Sequence, residues 1–136
     1  MQYMLLIYHA EDRGFEPTVE QFRAGMDAHY KLMEETRQKG ILISAQPLKP
    51  TATAKTVRLQ PDMKTVVTDG PFAETKEQLA GYYLLDCTEQ EALEYAKKIP
   101  VHCAVTGRLG SVEVRPILEF SEIRQQFEAL AAQQHA

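Results

Sequence analysis

The residue that most invites chemistry is His29. It recurs at steps of three and four with Val19, Phe22, Met26, Met33 and Thr36, so its imidazole falls on the apolar stripe of a helix. A buried histidine satisfied by a backbone carbonyl or a tyrosine accounts for the same placement without any reaction. The second concentration of reactive types is Thr68 to Glu77, T-D-G-P-F-A-E-T-K-E. Pro71 fixes its own φ and restrains Gly70, so the chain leaves the preceding strand at a set angle. Phe72 is expected to plug the edge of the core. Asp69 is expected to accept from backbone N–H groups one or two residues on, as Asx turns do. Glu74, Lys76 and Glu77 then read either as a charged rim that positions a polar substrate or as a solvated loop with weak ion pairs.

Glu113 and Arg115 share one side of a short strand. Facing a cavity, Arg115 would clamp an anionic ligand with Glu113 holding the guanidinium; facing water, they are an ordinary polar strand face. No metal is expected. His9, His102 and Cys103 match no zinc spacing, and His102-Cys103 are adjacent, so their side chains diverge on a strand. No cofactor is expected either: the chain has no Gly-rich phosphate loop and no G-x-S-x-G elbow.

The elements that must position these residues follow from the pattern. Gln2 to His9 is a strand apolar on both sides, with Tyr3, Leu5 and Ile7 alternating with Met4, Leu6 and Tyr8. Thr18 and Gln21 have capping-box spacing ahead of the His29 helix, and Lys39-Gly40 ends it. Gly25 inside that helix costs roughly 1 kcal/mol against alanine, and a close backbone approach would explain it. Ile41 to Gln46 is a strand. Thr56 to Gln60 and Lys64 to Thr68 form a hairpin around Pro61-Asp62. Gly81 to Asp86 is a second strand apolar on both sides. Thr88 and Glu91 open a helix that buries Ala92, Leu93, Ala96 and Ile99, with Glu94 and Lys98 paired on its wet side and Pro100 ending it. Glu11 to Pro17 and Val101 to Gly110 are loops. Ser111 to Ile117 is a strand, and Ser121 to Gln133 a last helix offering Ile123, Phe127 and Leu130.

The length of 136 residues predicts one domain. Without its hairpin the order is the β-α-β-β-α-β ferredoxin-like arrangement. The fold class expected is therefore α+β, with an inserted hairpin and a C-terminal helix. Two helices cover one face of the sheet. The other face is apolar too, and a bare patch of that size is unusual on a monomer. This predicts a homodimer packed sheet to sheet, with a cavity between each sheet and its loops. The formal charge of −4 and the lack of clustered basic residues argue against nucleic acid. No apolar run is long enough to span a membrane, Met1 leads directly into a strand without a leader, and two cysteines without a CxxC suit a reduced, cytoplasmic setting.

The Thr68 to Glu77 run, with G-Y-Y at Gly81 to Tyr83, I-P at Ile99-Pro100, G-S-V-E-V-R-P at Gly110 to Pro116 and the opening M-x-Y-M-L-L-I-Y, resembles the DGPF-domain family of the YCII-related superfamily. The resemblance covers residues 1–119, leaving 120–136 as a C-terminal helix and tail of the same domain. It implies a dimeric α+β barrel. It also implies a histidine on the first helix, in an H-x-x-x-L context, paired with a cleft aspartate. Here that context ends at Met33. The family's aspartate often lies in a D-P segment after the second helix, and this chain has Ile99-Pro100-Val101 there, so Asp69 is the replacement we assign. A His29–Asp69 pair would fix the tautomer and supply a general base. Two functions follow as expectations. One is a cofactor-free lyase or isomerase on a small metabolite, since one branch of the superfamily is a dehydrochlorinase on a chlorinated hydroxyquinol. The other is a non-catalytic, ligand-sensing or regulatory dimer, since some members are encoded near or fused to alternative sigma factors.

Overall fold

The computed structural model describes residues 1–11, 18–99 and 110–135. Residues 12–17, 100–109 and 136 lie outside that description, and with them most of the two expected loops, Pro100, His102 and Cys103. The described chain runs β1 (Gln2–His9), α1 (Val19–Gln38), β2 (Leu42–Pro47), β3 (Lys55–Leu59), β4 (Thr65–Asp69), β5 (Gln78–Asp86), α2 (Glu89–Lys98), β6 (Ser111–Pro116) and α3 (Phe120–Gln134). A single 3-10 turn, Thr51–Thr53, precedes β3. Four strands form an antiparallel sheet in the order β2-β5-β1-β6, and β3 and β4 form a separate two-stranded ribbon. This is the expected α+β, ferredoxin-like arrangement with its inserted hairpin.

Both main helices start where the capping boxes predict. Thr18 accepts from the Gln21 N–H and the Gln21 side chain answers to the Thr18 N–H; Thr88 and Glu91 do the same for α2. Gly40 closes α1 at φ +71, a value open to glycine and costly for other residues. The core lies between sheet and helices. Tyr3, Leu5 and Ile7 of β1 and Tyr83 and Leu85 of β5 meet Leu32 of α1 and Ala92 and Tyr95 of α2, with Ile41 and Ile99 closing the ends. Val112 and Val114 of β6 complete this face. Thr36 is fully buried, and its hydroxyl donates back to the Leu32 and Met33 carbonyls, so no polar atom is stranded.

The stripe of α1 differs from the expected one. Val19 and Phe22 are exposed, and Leu32 is buried together with the expected Thr36. In α2 the buried aromatic is Tyr95, while Leu93 is largely exposed. Glu94 pairs with Lys97 rather than Lys98. Lys98 instead crosses to Glu35 of α1, and both Lys98 and Lys39 lie over the Tyr95 ring, which ties the two helices together. Gly25 has open space around it, so no close approach explains it. Gly81 is the glycine that one does explain: a Cβ there would stand 2.8 Å from the Gln46 carbonyl oxygen.

Apolar side chains remain partly or largely exposed on three surfaces. On the sheet face away from the helices, the register aligns Leu84, Met4 and Arg115 in one row and Tyr82, Leu6 and Glu113 in the next. The β3–β4 ribbon carries Val57, Leu59 and Val67 outward. The α3 helix exposes Phe120 (87%), Phe127 (71%), Ile123 and Leu130.

Candidate functional site

Two hollows meet at Tyr8, the last apolar residue on the open face of β1. One, about 240 Å³, is walled by Tyr8, Thr51, Pro71, Phe72, Ala73, Thr75, Glu77, Gln78 and Leu79. The other, about 1010 Å³, is a broad open depression bordered by Tyr8, Ala10, Lys76, Glu77, Ser111, Val112 and Glu113. Tyr8 and Glu77 belong to both.

Local structure explains why these residues converge. The ladder between β1 and β5 slips between Ile7 and Tyr8, where Ile7 pairs with Gly81 but Tyr8 with Leu79. Such a bulge bends the strand and re-aims the side chains at its end. The Asp69-to-Phe72 turn is latched to β3. Gly70 sits at φ +95, its N–H donates to the Ala54 carbonyl at 2.7 Å, and its own carbonyl accepts from the Thr56 hydroxyl. Arg58 donates to the Phe72 carbonyl at 2.6 Å. On the other side of the hollow, Glu11 accepts from both the backbone N–H and the hydroxyl of Thr51, and its own N–H donates to Gln78. The Ser111 hydroxyl donates to Glu77 at 2.9 Å and fixes that carboxylate at the junction of the hollows. The walls are thus held by hydrogen bonds at several separate points, while Phe72 itself stands 73% exposed beside the opening.

The residues singled out in the sequence are distributed unevenly around this site. Lys76, Glu77 and Glu113 border it; Glu74 does not. Arg115 lies on the same open face as Glu113, with its Nε 3.9 Å from the Glu113 carboxylate, but opposite Met4 and away from the hollows. Phe72 borders the small hollow instead of plugging the core. Asp69 makes no Asx turn. Its carboxylate is 87% exposed and pairs with Lys55 directly across the ribbon.

His29 stands on the other side of the sheet. Its Nδ1 lies 2.7 Å from the Tyr83 hydroxyl, and the two rings stack at 18° with centroids 6.0 Å apart. Burial holds the imidazole below its ordinary value of 6.5, and burial pushes the Tyr83 phenol up to about 12. Both groups are therefore neutral near pH 7, with the phenol as the natural donor to a bare ring nitrogen. The structure does not bring His29 and Asp69 together, since each is bound to a different partner. Sequence reasoning missed Tyr8, Thr51, Glu11 and Ser111. Tyr8 had a signal, as the last apolar residue of a strand greasy on both sides. The others are common polar residues that only the fold gathers. Among the described residues no three His, Cys, Asp or Glu side chains group to hold a metal ion, and no helix is long and apolar enough to cross a membrane.

The comparisons with known proteins agree with this architecture. The YCII-related domain matches residues 1–121. An uncharacterised protein of Rhizobium meliloti (strain 1021) is 37% identical over 118 residues, which is 86% of this chain and 92% of that protein. With a family match across most of its length and a relative of that similarity, the chain belongs to the YCII-related domain family.

Proposed function

We propose that this protein is a homodimer, joined through its open sheet face, that binds a small metabolite in the hollows around Tyr8. The observation that carries this reading is the convergence of the latched 69–72 turn, the Glu77–Ser111 pair and Tyr8 on one concave surface. Tyr8 and Phe72 offer flat apolar contact, and Glu77, Glu113 and Lys76 offer charge at the border. That combination suits a ligand with an aromatic or aliphatic body and at least one polar group. The reading corresponds to a ligand-sensing or regulatory dimer. It needs no catalytic group, and His29 is engaged elsewhere.

A second reading, a cofactor-free lyase or isomerase, is favoured by one observation. His29 is kept neutral by burial while part of its ring stays open. In that case Tyr83, and not Asp69, is the group that orients it, and the reaction takes place on the helix side of the sheet.

A thermal-shift screen against a panel of small aromatic and amino-bearing metabolites separates the two. The first reading expects stabilising compounds whose effect is lost in Tyr8→Ala and Phe72→Ala and kept in His29→Gln. Compounds that depend on His29 and ignore Tyr8 would transfer the assignment to the second.

A further inference from the structure

We infer that the α3 helix of each chain packs on a second copy and walls that copy's Tyr8 hollow, so that one chain alone carries an incomplete site. This rests on the dimeric reading above and adds to it the identity of the covering element.

The starting observation is an element without a reason to fold. A helix of 15 residues is marginal in water by itself. The α3 helix has no side-chain cap at Glu119, and its stripe of Phe120, Ile123, Phe127 and Leu130 is exposed. These four recur at steps of three and four, so they form one continuous apolar face. A face of that kind needs a partner surface.

The sheet supplies a partner surface. Its open face carries Met4, Leu6, Tyr82 and Leu84, each partly exposed, while α1 and α2 pack on the opposite face. It is four strands wide, about 19 Å, and α3 at about 22 Å is long enough to cross it. The broad depression at Tyr8 lies at the end of this same face and is open to solvent.

Self-complementarity decides the occupant. A foreign partner covering the sheet would leave the α3 stripe wet, and one covering α3 would leave the sheet wet. A two-fold pair of this chain covers both at once, because each copy supplies the helix and the face that receives it. The area is consistent: two phenylalanines, an isoleucine and a leucine from each copy bring on the order of 1,000 Å² of apolar surface to the pair. Stable associations bury roughly 1,200–2,000 Å², so α3 supplies much of what is needed and the sheet faces supply the rest.

The test is photo-crosslinking with Phe127→p-benzoyl-phenylalanine in the full chain, on a one-to-one mixture of isotopically light and heavy protein. The expected result is mixed light–heavy crosslinks from position 127 to the segments bearing Leu6, Tyr8 or Tyr82. In parallel, Phe127→Ser should weaken the dimer at least tenfold while helical circular dichroism at dimer-saturating concentration is unchanged. An intact dimer with crosslinks only inside one chain, or with Phe127→Ser dimerising normally, overturns this inference and leaves the dimeric reading standing. A chain that stays monomeric at every concentration overturns both.

Discussion

Tyr83 and His29 form a hydrogen-bonded pair in which burial favours the neutral form of each group, and this has measurable consequences. Removing the phenol strands a half-buried ring nitrogen, and an unsatisfied polar atom costs about 1–3 kcal/mol. Tyr83→Phe is therefore expected to lower the unfolding free energy by an amount in that range, read as a lower urea midpoint, and an unchanged midpoint would show that the hydrogen bond contributes nothing. The imidazole gives a pH prediction with a definite sign. Its folded-state value lies below its ordinary 6.5, so the unfolded chain binds the proton more readily. Stability is full above 6.5 and is lost as pH falls from there through the folded-state value. Urea unfolding at pH 7.5 and pH 5.5 should show a larger loss for the native chain than for His29→Gln. Equal losses would mean that His29 is solvated in the fold. At the tip of β4, Asp69→Asn should change stability by less than about 1 kcal/mol, since an exposed ion pair is worth little.

Among the elements, the edge between β2 and β5 has the tightest constraint. Gly81 lies so close to the β2 backbone that an added methyl collides with the Gln46 carbonyl and approaches the Pro47 Cα at 3.1 Å. Neither is the end of a flexible side chain, so the strands must separate. Gly81→Ala is expected to cost about 1–3 kcal/mol by overpacking, read as a lower midpoint in urea; Gly25→Ala, in open space on α1, should be neutral or stabilising. These elements were also where the sequence was most legible. Capping boxes at Thr18 and Thr88 are local chemistry, so both helix starts could be read directly, and the short runs of β1 and β5, apolar on both sides, read as covered strands although β5 begins at Gln78, three residues before the expected Gly81. On α1 and α2 the expected Thr36, Ala92 and Ile99 are buried, but Leu32 and Tyr95 were missed and Val19, Phe22 and Leu93 are exposed, because periodicity gives a face without saying which of its positions meet the sheet. The site was far less legible. The latch from Arg58 to the Phe72 carbonyl and the grip of Glu11 on Thr51 join residues 14 and 40 positions apart, and ordinary polar residues carry no mark of such partners. The His29–Asp69 pairing failed for a related reason. A carboxylate within a turn motif says nothing about which cation faces it across a ribbon, and Lys55 does.

At the scale of the whole molecule, one chain buries the helix-covered face of its sheet, half-buries the other, and leaves apolar side chains of the ribbon and α3 in water. The ribbon of β3 and β4 is a two-stranded hairpin, a unit that is marginal by itself, and α3 is in the same position. A fold with this much unspent apolar surface is expected to associate, and the hydrophobic contribution, at roughly 25 cal/mol per Å² buried, is large enough to drive it. Dimerisation is the claim on which the shared cavity, the role of α3 and the ligand reading all depend. Sedimentation equilibrium of the full chain at low micromolar concentration tests it most directly. The account predicts a species of twice the 15.4 kDa chain mass that persists on dilution. A well-behaved single species at 15.4 kDa across that range would contradict it.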